Sequence, residues 1–385
     1  MNVKRMHPST GFLALLCILG IMIAGCAPIP AAVAPADAPA SAATSTPAPT
    51  TAPTAVPSAT TSAYWPTNGW RTSTPEEQGM DAQKLAAMLA EIKERKIDIR
   101  SLLVIRNGYL VSETYFVPFL QHHKQDMQSV GRSFTATLVG IAIDKGYIAG
   151  VDQKILEFFP DRTFANLDAQ KKAMTLEDVL TMRSGLEPQP GDPYYRAMQD
   201  SPDWIQFLLD QPVTDPPGSR WNYCAGCSHI LTAILQKTTG MNPRDFAEQY
   251  LFKPLGISAD KWMTDPAGLP YGAGGFNLMP RDMAKLGYLY LHNGTWDGQQ
   301  IVSAEWVRAA TSWHTETDSQ IGLGYGYQWW IYPSYGAYAA LGRYGQTIFV
   351  APDLDLVVVT TGQVDGHDAL FALIEEYVVP AVKTP

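Results

Sequence analysis

Positive charge is scarce in this chain and nowhere concentrated. Its 28 Lys and Arg residues are outnumbered by 37 Asp and Glu, leaving a formal net charge of −9 over 385 residues, with no run of five basic residues anywhere. Phosphate backbones are held by clustered cations, so the composition argues against a nucleic-acid partner and for a small or neutral one. Cysteine is scarcer still, with four in all. Cys17 and Cys26 fall in the apolar N-terminal segment, which leaves Cys224 and Cys227 as a Cys-x-x-Cys with His229 nearby. Two sulfurs and one imidazole do not complete a structural zinc site, so no metal is expected, and no organic cofactor either. A local disulfide and two small buried thiols both remain open for that pair. A Gly-x-Ser-x-Gly elbow is missing as well, which argues against an ordinary α/β-hydrolase.

Long apolar runs are also lacking. The stretch from Gly11 to Ile23 falls short of the roughly 20 residues a spanning helix needs. It follows Lys4, Arg5 and His7 and ends in Ile23-Ala24-Gly25-Cys26, the pattern of an export signal. Its end resembles a bacterial lipobox, which predicts cleavage before Cys26, lipid attachment there, and a membrane-anchored protein of the cell envelope. An ordinary secretory signal is the plainer alternative. Residues 27–63 are almost wholly Ala, Pro, Thr and Ser, too poor in apolar bulk to form a core, and read as an extended disordered spacer. The folded domain is expected over residues 64–385.

Within it, Asp81 to Arg95 carries helical apolar spacing. Residues 101–106 and 109–115 are β-rich runs across Asn107-Gly108, a hairpin signal. A second hairpin is expected where residues 347–350 and 354–360 flank Pro352-Asp353, followed by a helix from about His367 to Val379. Between the hairpins lie mostly helical patterns: 134–145, 175–182, 202–209, 228–238, 243–251 and 280–293. The expected fold is α+β, an antiparallel sheet built from both ends of the chain and flanked by helices, with a mostly helical insertion over about 117–330.

Ser129 is the best nucleophile candidate, at the start of an apolar helix where unpaired backbone N–H groups and the macrodipole favour an oxyanion. One turn on stands Arg132. Guanidinium does not lose its proton in a protein, so Arg132 can hold negative charge but cannot serve as the base. Tyr223, in the turn-rich stretch before the 228–238 helix, is the candidate base, because a fixed cation nearby favours a phenolate. Arg343, Gly345 and Gln346 form a third element at the entry of a late strand, where backbone N–H groups can meet an oxyanion or an extended substrate.

The order Ser-x-x-basic, then tyrosine, then basic-x-Gly resembles the serine β-lactamase and penicillin-binding protein superfamily, especially its class C-like branch with esterases and 6-aminohexanoate-dimer hydrolases. Further blocks carry the likeness: residues 180–186 (Leu-Thr-Met-Arg-Ser-Gly-Leu), 280–287 and 324–330. The resemblance spans Trp65 to Val379. It implies that Ser129 forms an acyl-enzyme, that Tyr223 takes its proton, and that the N–H groups of Ser129 and Gln346 form the oxyanion hole beside Arg343 and Gly345. Arg132 stands where the family has lysine, and Ala225 where Asn or Ser commonly completes the tyrosine motif. The expected function is a serine hydrolase acting on a small ester, amide or β-lactam-like carbonyl. The alternative is a catalytically impaired envelope protein that binds peptidoglycan-like ligands.

Two features read as ordinary structure. His122-His123-Lys124 is expected in a solvated loop, and Tyr325, Tyr327, Trp329 and Trp330 are expected in the core, with a pocket wall as the other use for such rings.

Overall fold

Asn107 and Gly108 turn the chain back on itself as their sequence predicts. Both take positive φ, 51° and 73°, the twist that suits a two-residue hairpin. They join β1 (Ile99–Arg106) to β2 (Tyr109–Tyr115). The computed structural model describes residues 64–187 and 191–383; the expected leader, Cys26 and the spacer through residue 63 lie outside the described residues.

The main sheet has eight strands, all paired antiparallel. Besides the first hairpin it contains β3 (Thr315–Glu316), β4 (Gly324–Tyr325), β5 (Trp330–Ile331), β6 (Tyr338–Gly342), β7 (Gln346–Ala351) and β8 (Leu356–Gly362). Their order is β2-β1-β8-β7-β6-β5-β4-β3. Its first and last strands in sequence, β1 and β8, pair as the second and third strands from one edge, with Leu103 of β1 in register with Val359 of β8. This is the expected α+β fold. Strands β3 to β6 are additions to the expectation, and because the sheet takes the chain back at Thr315, the helical insertion ends earlier than residue 330.

Alternation along the strands explains why helices cover both faces. Leu102, Val104, Phe349 and Val358 point to one face, where they pack with Leu85, Met88 and Ile92 of α1 (Ala82–Glu94) and with Phe371 and Ile374 near the C terminus. Leu103, Ile105, Ile348, Val357 and Val359 point to the other, against the core that contains Phe134, Met283 and Leu286. Asp81 caps α1, accepting from the N–H groups of Gln83 and Lys84.

On that second face lie α2 (Gly131–Asp144), α3 (Cys227–Thr239) and α4 (Pro280–Leu291). In α2 every residue from Gly131 to Ala142 is buried, as its nearly continuous apolar sequence requires. The last expected helix begins as α5 (Asp368–Leu373) and continues as a π turn over Ile374–Val378. Shorter helices at Gly191–Asp200 and Ala304–Ala310 were not expected from periodicity. Among the described residues no helix is long and apolar enough to cross a membrane.

Candidate active site

Ser129 is delivered by a short, tightly held segment. A two-stranded ribbon pairs Gln125–Asp126 with Asn277–Leu278, and the Met127 N–H donates to the Phe276 carbonyl at 3.0 Å. Gln128 then adopts φ 47°, a left-handed conformation a side chain rarely takes. The Asp126 carboxylate supports it, accepting from the Gln128 N–H at 2.9 Å and from its Nε2 at 2.7 Å. Ser129 follows in a single 3-10 turn, Gln128–Val130, and α2 proper begins at Gly131. Here two backbones touch. A Cβ on Gly131 would lie 2.5 Å from the Gly274 Cα, and one on Gly274, whose φ is 139°, would collide with the Gln128 carbonyl.

One turn along α2, Arg132 is 3% exposed. Its Nε donates to the Tyr223 hydroxyl at 3.0 Å, and its Nη1 donates to the Ser228 hydroxyl at 2.6 Å and to the carbonyls of Ala225 and Cys224 at 3.3 and 3.4 Å. No carboxylate pairs with it among the described residues. Desolvation pushes its pKa down, but the neighbouring hydroxyls of Tyr223, Tyr271 and Tyr325 outweigh that and hold it above the usual arginine value. Arg132 is a buried, permanent cation. Its guanidinium carbon also lies 4.8 Å from the centre of the Tyr223 ring.

Cys224 and Cys227 are joined as a disulfide with a Cα separation of 5.3 Å, which decides between the two alternatives left open by the sequence. The bridge closes the loop whose carbonyls receive Arg132. Ala225 uses its carbonyl twice, since the Tyr271 hydroxyl also donates to it at 3.0 Å.

Ser129, Arg132, Tyr223 and Arg343 line one cavity of 740 Å³, walled further by Tyr195, Trp221, Tyr271, Trp330, Leu341, Gly342 and Phe371. Asp126, Asp318, Asp368 and His367 add its polar groups. Gly345 and Gln346 are not brought to it. Gln346 is buried in β7, and its amide donates to the carbonyls of Arg343 and Gly362. The hairpin turns at Arg343–Gly345, with Tyr344 at φ 69°, and β7 begins at Gln346. The strand end beside the Ser129 segment is therefore Gly342, whose Cβ would meet the Met127 carbonyl at 2.7 Å.

Of the four rings expected in the core, Tyr325, Tyr327 and Trp329 are buried there, whereas Trp330 faces the cavity. His122 is exposed in its loop, and Lys124 pairs with Asp260 at 3.3 Å. Sequence reasoning missed Tyr195 and Tyr271, which stand on segments with no local signal, and took His367 only as the start of the last helix. Among the described residues, no group of three His, Cys, Asp or Glu side chains is placed to hold a metal ion.

The beta-lactamase family model matches residues 76–378. The chain belongs to the beta-lactamase family. It is 26% identical over 310 residues to a 6-aminohexanoate-dimer hydrolase of Paenarthrobacter ureafaciens, covering 74% of this chain and 79% of that one. Among solved structures it is similar to a penicillin-binding protein homologue from Pyrococcus abyssi (20% identity, TM-score 0.63, 78% of each chain). It is also similar to EstCE1, a hydrolase with promiscuous acyltransferase activity (16% identity, TM-score 0.66, 80% of this chain and 99% of that one). The chain is thus a member of a hydrolase family whose fold serves hydrolases, esterases and penicillin-binding proteins alike.

Proposed function

We propose that this protein is a serine hydrolase that cleaves small esters or linear amides through an acyl-enzyme on Ser129. The observation that carries the reading is the meeting, in one 740 Å³ cavity, of Ser129 with a tyrosine hydroxyl held by a buried cation at 3.0 Å. The Arg132 Nε–H directed at the Tyr223 oxygen stabilises the phenolate, the form in which a tyrosine can act as a base. In that form Tyr223 takes the proton of Ser129 Oγ as the oxygen bonds to the substrate carbonyl carbon. The tetrahedral oxyanion is met by the main-chain N–H of Ser129 and by the strand end at Gly342–Arg343. Tyr223 then passes the proton to the departing alcohol or amine. Water attacks the ester on Ser129 with Tyr223 again as proton acceptor, releasing the acid and restoring the hydroxyl.

The aromatic walls, Trp221 and Trp330 above all, suit an apolar acyl or leaving group. Esters are favoured over β-lactams because deacylating a penicilloyl group demands a second well-placed base, and Arg132 cannot be one. The proposal includes attachment to the cell envelope through Cys26, supported by the sequence of residues 4–26 alone.

The test is hydrolysis of p-nitrophenyl butyrate together with labelling by a fluorescent phosphonate. Both are expected in the wild type, with labelling lost in Ser129→Ala and turnover cut at least about a thousandfold. Equal labelling of the two proteins would remove the covalent mechanism. Binding of peptidoglycan fragments without turnover would instead favour a passive receptor.

A further inference from the structure

The corner that holds Arg132 extends one layer beyond the cavity. Ser228, on the first turn of α3, accepts from Arg132 Nη1 at 2.6 Å and donates to Gln328 Oε1 at 2.6 Å. The Gln328 amide is itself fixed, because its Nε2 donates to the carbonyls of Leu180 at 2.7 Å and Val179 at 3.2 Å. That leaves Oε1 turned toward Ser228 and determines the direction of the serine proton. Gln328 sits in the left-handed region at φ 61°. Its N–H donates to the Leu180 carbonyl at 3.1 Å, and its own carbonyl accepts from Ser133 Oγ at 2.7 Å. Ser228 and Gln328 are 0% and 2% exposed.

We infer that Ser228 and Gln328 are positioning residues for the reaction: they pin Arg132 through Nη1 so that its Nε–H is held on the Tyr223 hydroxyl. The inference rests on the acyl-enzyme reading of Ser129 and Tyr223. Guanidinium is a rigid planar fork, so fixing one terminal nitrogen and the stem fixes the plane and hence the Nε–H direction. The two carbonyl contacts, at 3.3 and 3.4 Å, are too long to set that plane by themselves. The short bond to Ser228 sets it. A side chain held in an unfavourable backbone conformation at a buried position is a cost the surroundings must justify. Here it places the one amide that orients the serine. Every partner is neutral, so nothing in the layer competes with Tyr223 to be the counter-ion of Arg132. The arginine is therefore an element the corner is built around, not a lysine site left without its amine.

The purified full chain tests this in two ways. Ser228→Ala is expected to lower kcat for p-nitrophenyl butyrate at least about tenfold, with KM changed less than about threefold. Ser228→Thr, which keeps the hydroxyl, is expected to restore most of the loss. Gln328→Met is expected to lower kcat in the same direction and serves should the alanine variant fold poorly. In an Arg132→Lys background, Ser228→Ala is expected to change kcat less than about threefold, because the two residues act through one contact. The second readout needs no turnover. A buried, hydrogen-bonded Arg132 Nε–H gives a resolved proton–nitrogen resonance, identified by its absence in Arg132→Lys, and Ser228→Ala is expected to broaden it away. An unchanged resonance and unchanged kcat in Ser228→Ala would overturn the proposal, as would losses that simply multiply in the double variant. If the resonance responds while Ser129→Ala still labels, the acyl-enzyme reading has failed and the positioning of Arg132 stands.

Discussion

The two walls of the cavity are made differently. The Ser129 wall is backbone against backbone: a left-handed Gln128, a 3-10 turn at Ser129, and close approaches at Gly131, Gly274 and Gly342. The wall around Arg132 is a set of side-chain hydrogen bonds, running from Tyr223 through the guanidinium to Ser228 and Gln328. Backbone contact at van der Waals distance leaves no room for a new atom, whereas a hydrogen-bonded corner can be rebuilt residue by residue. The departures from the family pattern, Arg132 and Ala225, both fall in the second wall. Ser129 is held in place by packing, and the two departures fall where hydrogen bonds hold the structure.

The sharpest test of that contrast is Gly131→Ala. Its added methyl would sit 2.5 Å from the Gly274 Cα and 3.0 Å from the Phe276 ring, neither of which can swing away. Expected are destabilisation of about 3 kcal/mol, at the upper end for overpacking, and phosphonate labelling slowed about a hundredfold by displacement of Ser129. Thermal melting and the labelling rate measure both. Near-normal values would mean that this wall yields, and the comparison would lose its first half.

Arg132→Lys probes the second wall. A single ammonium cannot reach Tyr223 and Ser228 with the fork geometry of guanidinium, so kcat is expected to fall about tenfold with little change in melting temperature. A rise above wild type would show that the corner still fits the family's lysine and that the arginine is a loss rather than a rebuilding.

How far the sequence foretold these walls differs in the same way. Asn107-Gly108 between the β-rich runs 101–106 and 109–115, and Pro352-Asp353 between 347–350 and 354–360, announce both hairpins, because turn chemistry and strand composition are local. Strands β3, β4 and β5 have two residues each, too short for any alternation to register. Ser129 and Tyr223, singled out from a helix start and a turn-rich loop, line one cavity. Ser228 and Gln328 lie 100 residues apart and look in sequence like a helical serine and one polar residue in an aromatic run. Gly345 and Gln346 do not line the cavity for a geometric reason: a motif fixes residue types, but only the hairpin shows that the chain turns at Arg343 and leaves Gly342 beside the Ser129 segment.

The disulfide ties the second wall to stability. Cross-linking residues three apart closes a very short loop, for which chain entropy gives about 2 kcal/mol. Replacing Cys224 and Cys227 together by serine is expected to lower the melting temperature by a few degrees and kcat about threefold, since the Cys224 and Ala225 carbonyls still face Arg132 but less firmly. Loss of activity as complete as in Ser129→Ala would assign the bridge a larger part than these long contacts support.

The smallest effect separates the walls by pH. On the Ser129 side, His367 lines the cavity with Nε2 3.0 Å from the Gly342 carbonyl. Burial pushes its pKa below the ordinary histidine value, only partly offset by the Gly342 carbonyl, the Asp368 carboxylate and the Gln346 backbone. The unfolded chain therefore binds the proton first. Stability contributed by the neutral imidazole is complete above about pH 6.5, falls as pH drops through that value, and stops falling below the folded-state pKa. Arg132, a cation in both states, contributes no such window. His367→Gln keeps a donor for the Gly342 carbonyl while removing the titration. Between pH 7.5 and 5 its melting temperature is expected to fall less than that of the wild type, because His292, also pushed down by burial, acts equally in both proteins and cancels. Parallel melting curves would mean that His367 charges freely where it stands, and that the strand end beside Ser129 is more open to water than its packing implies.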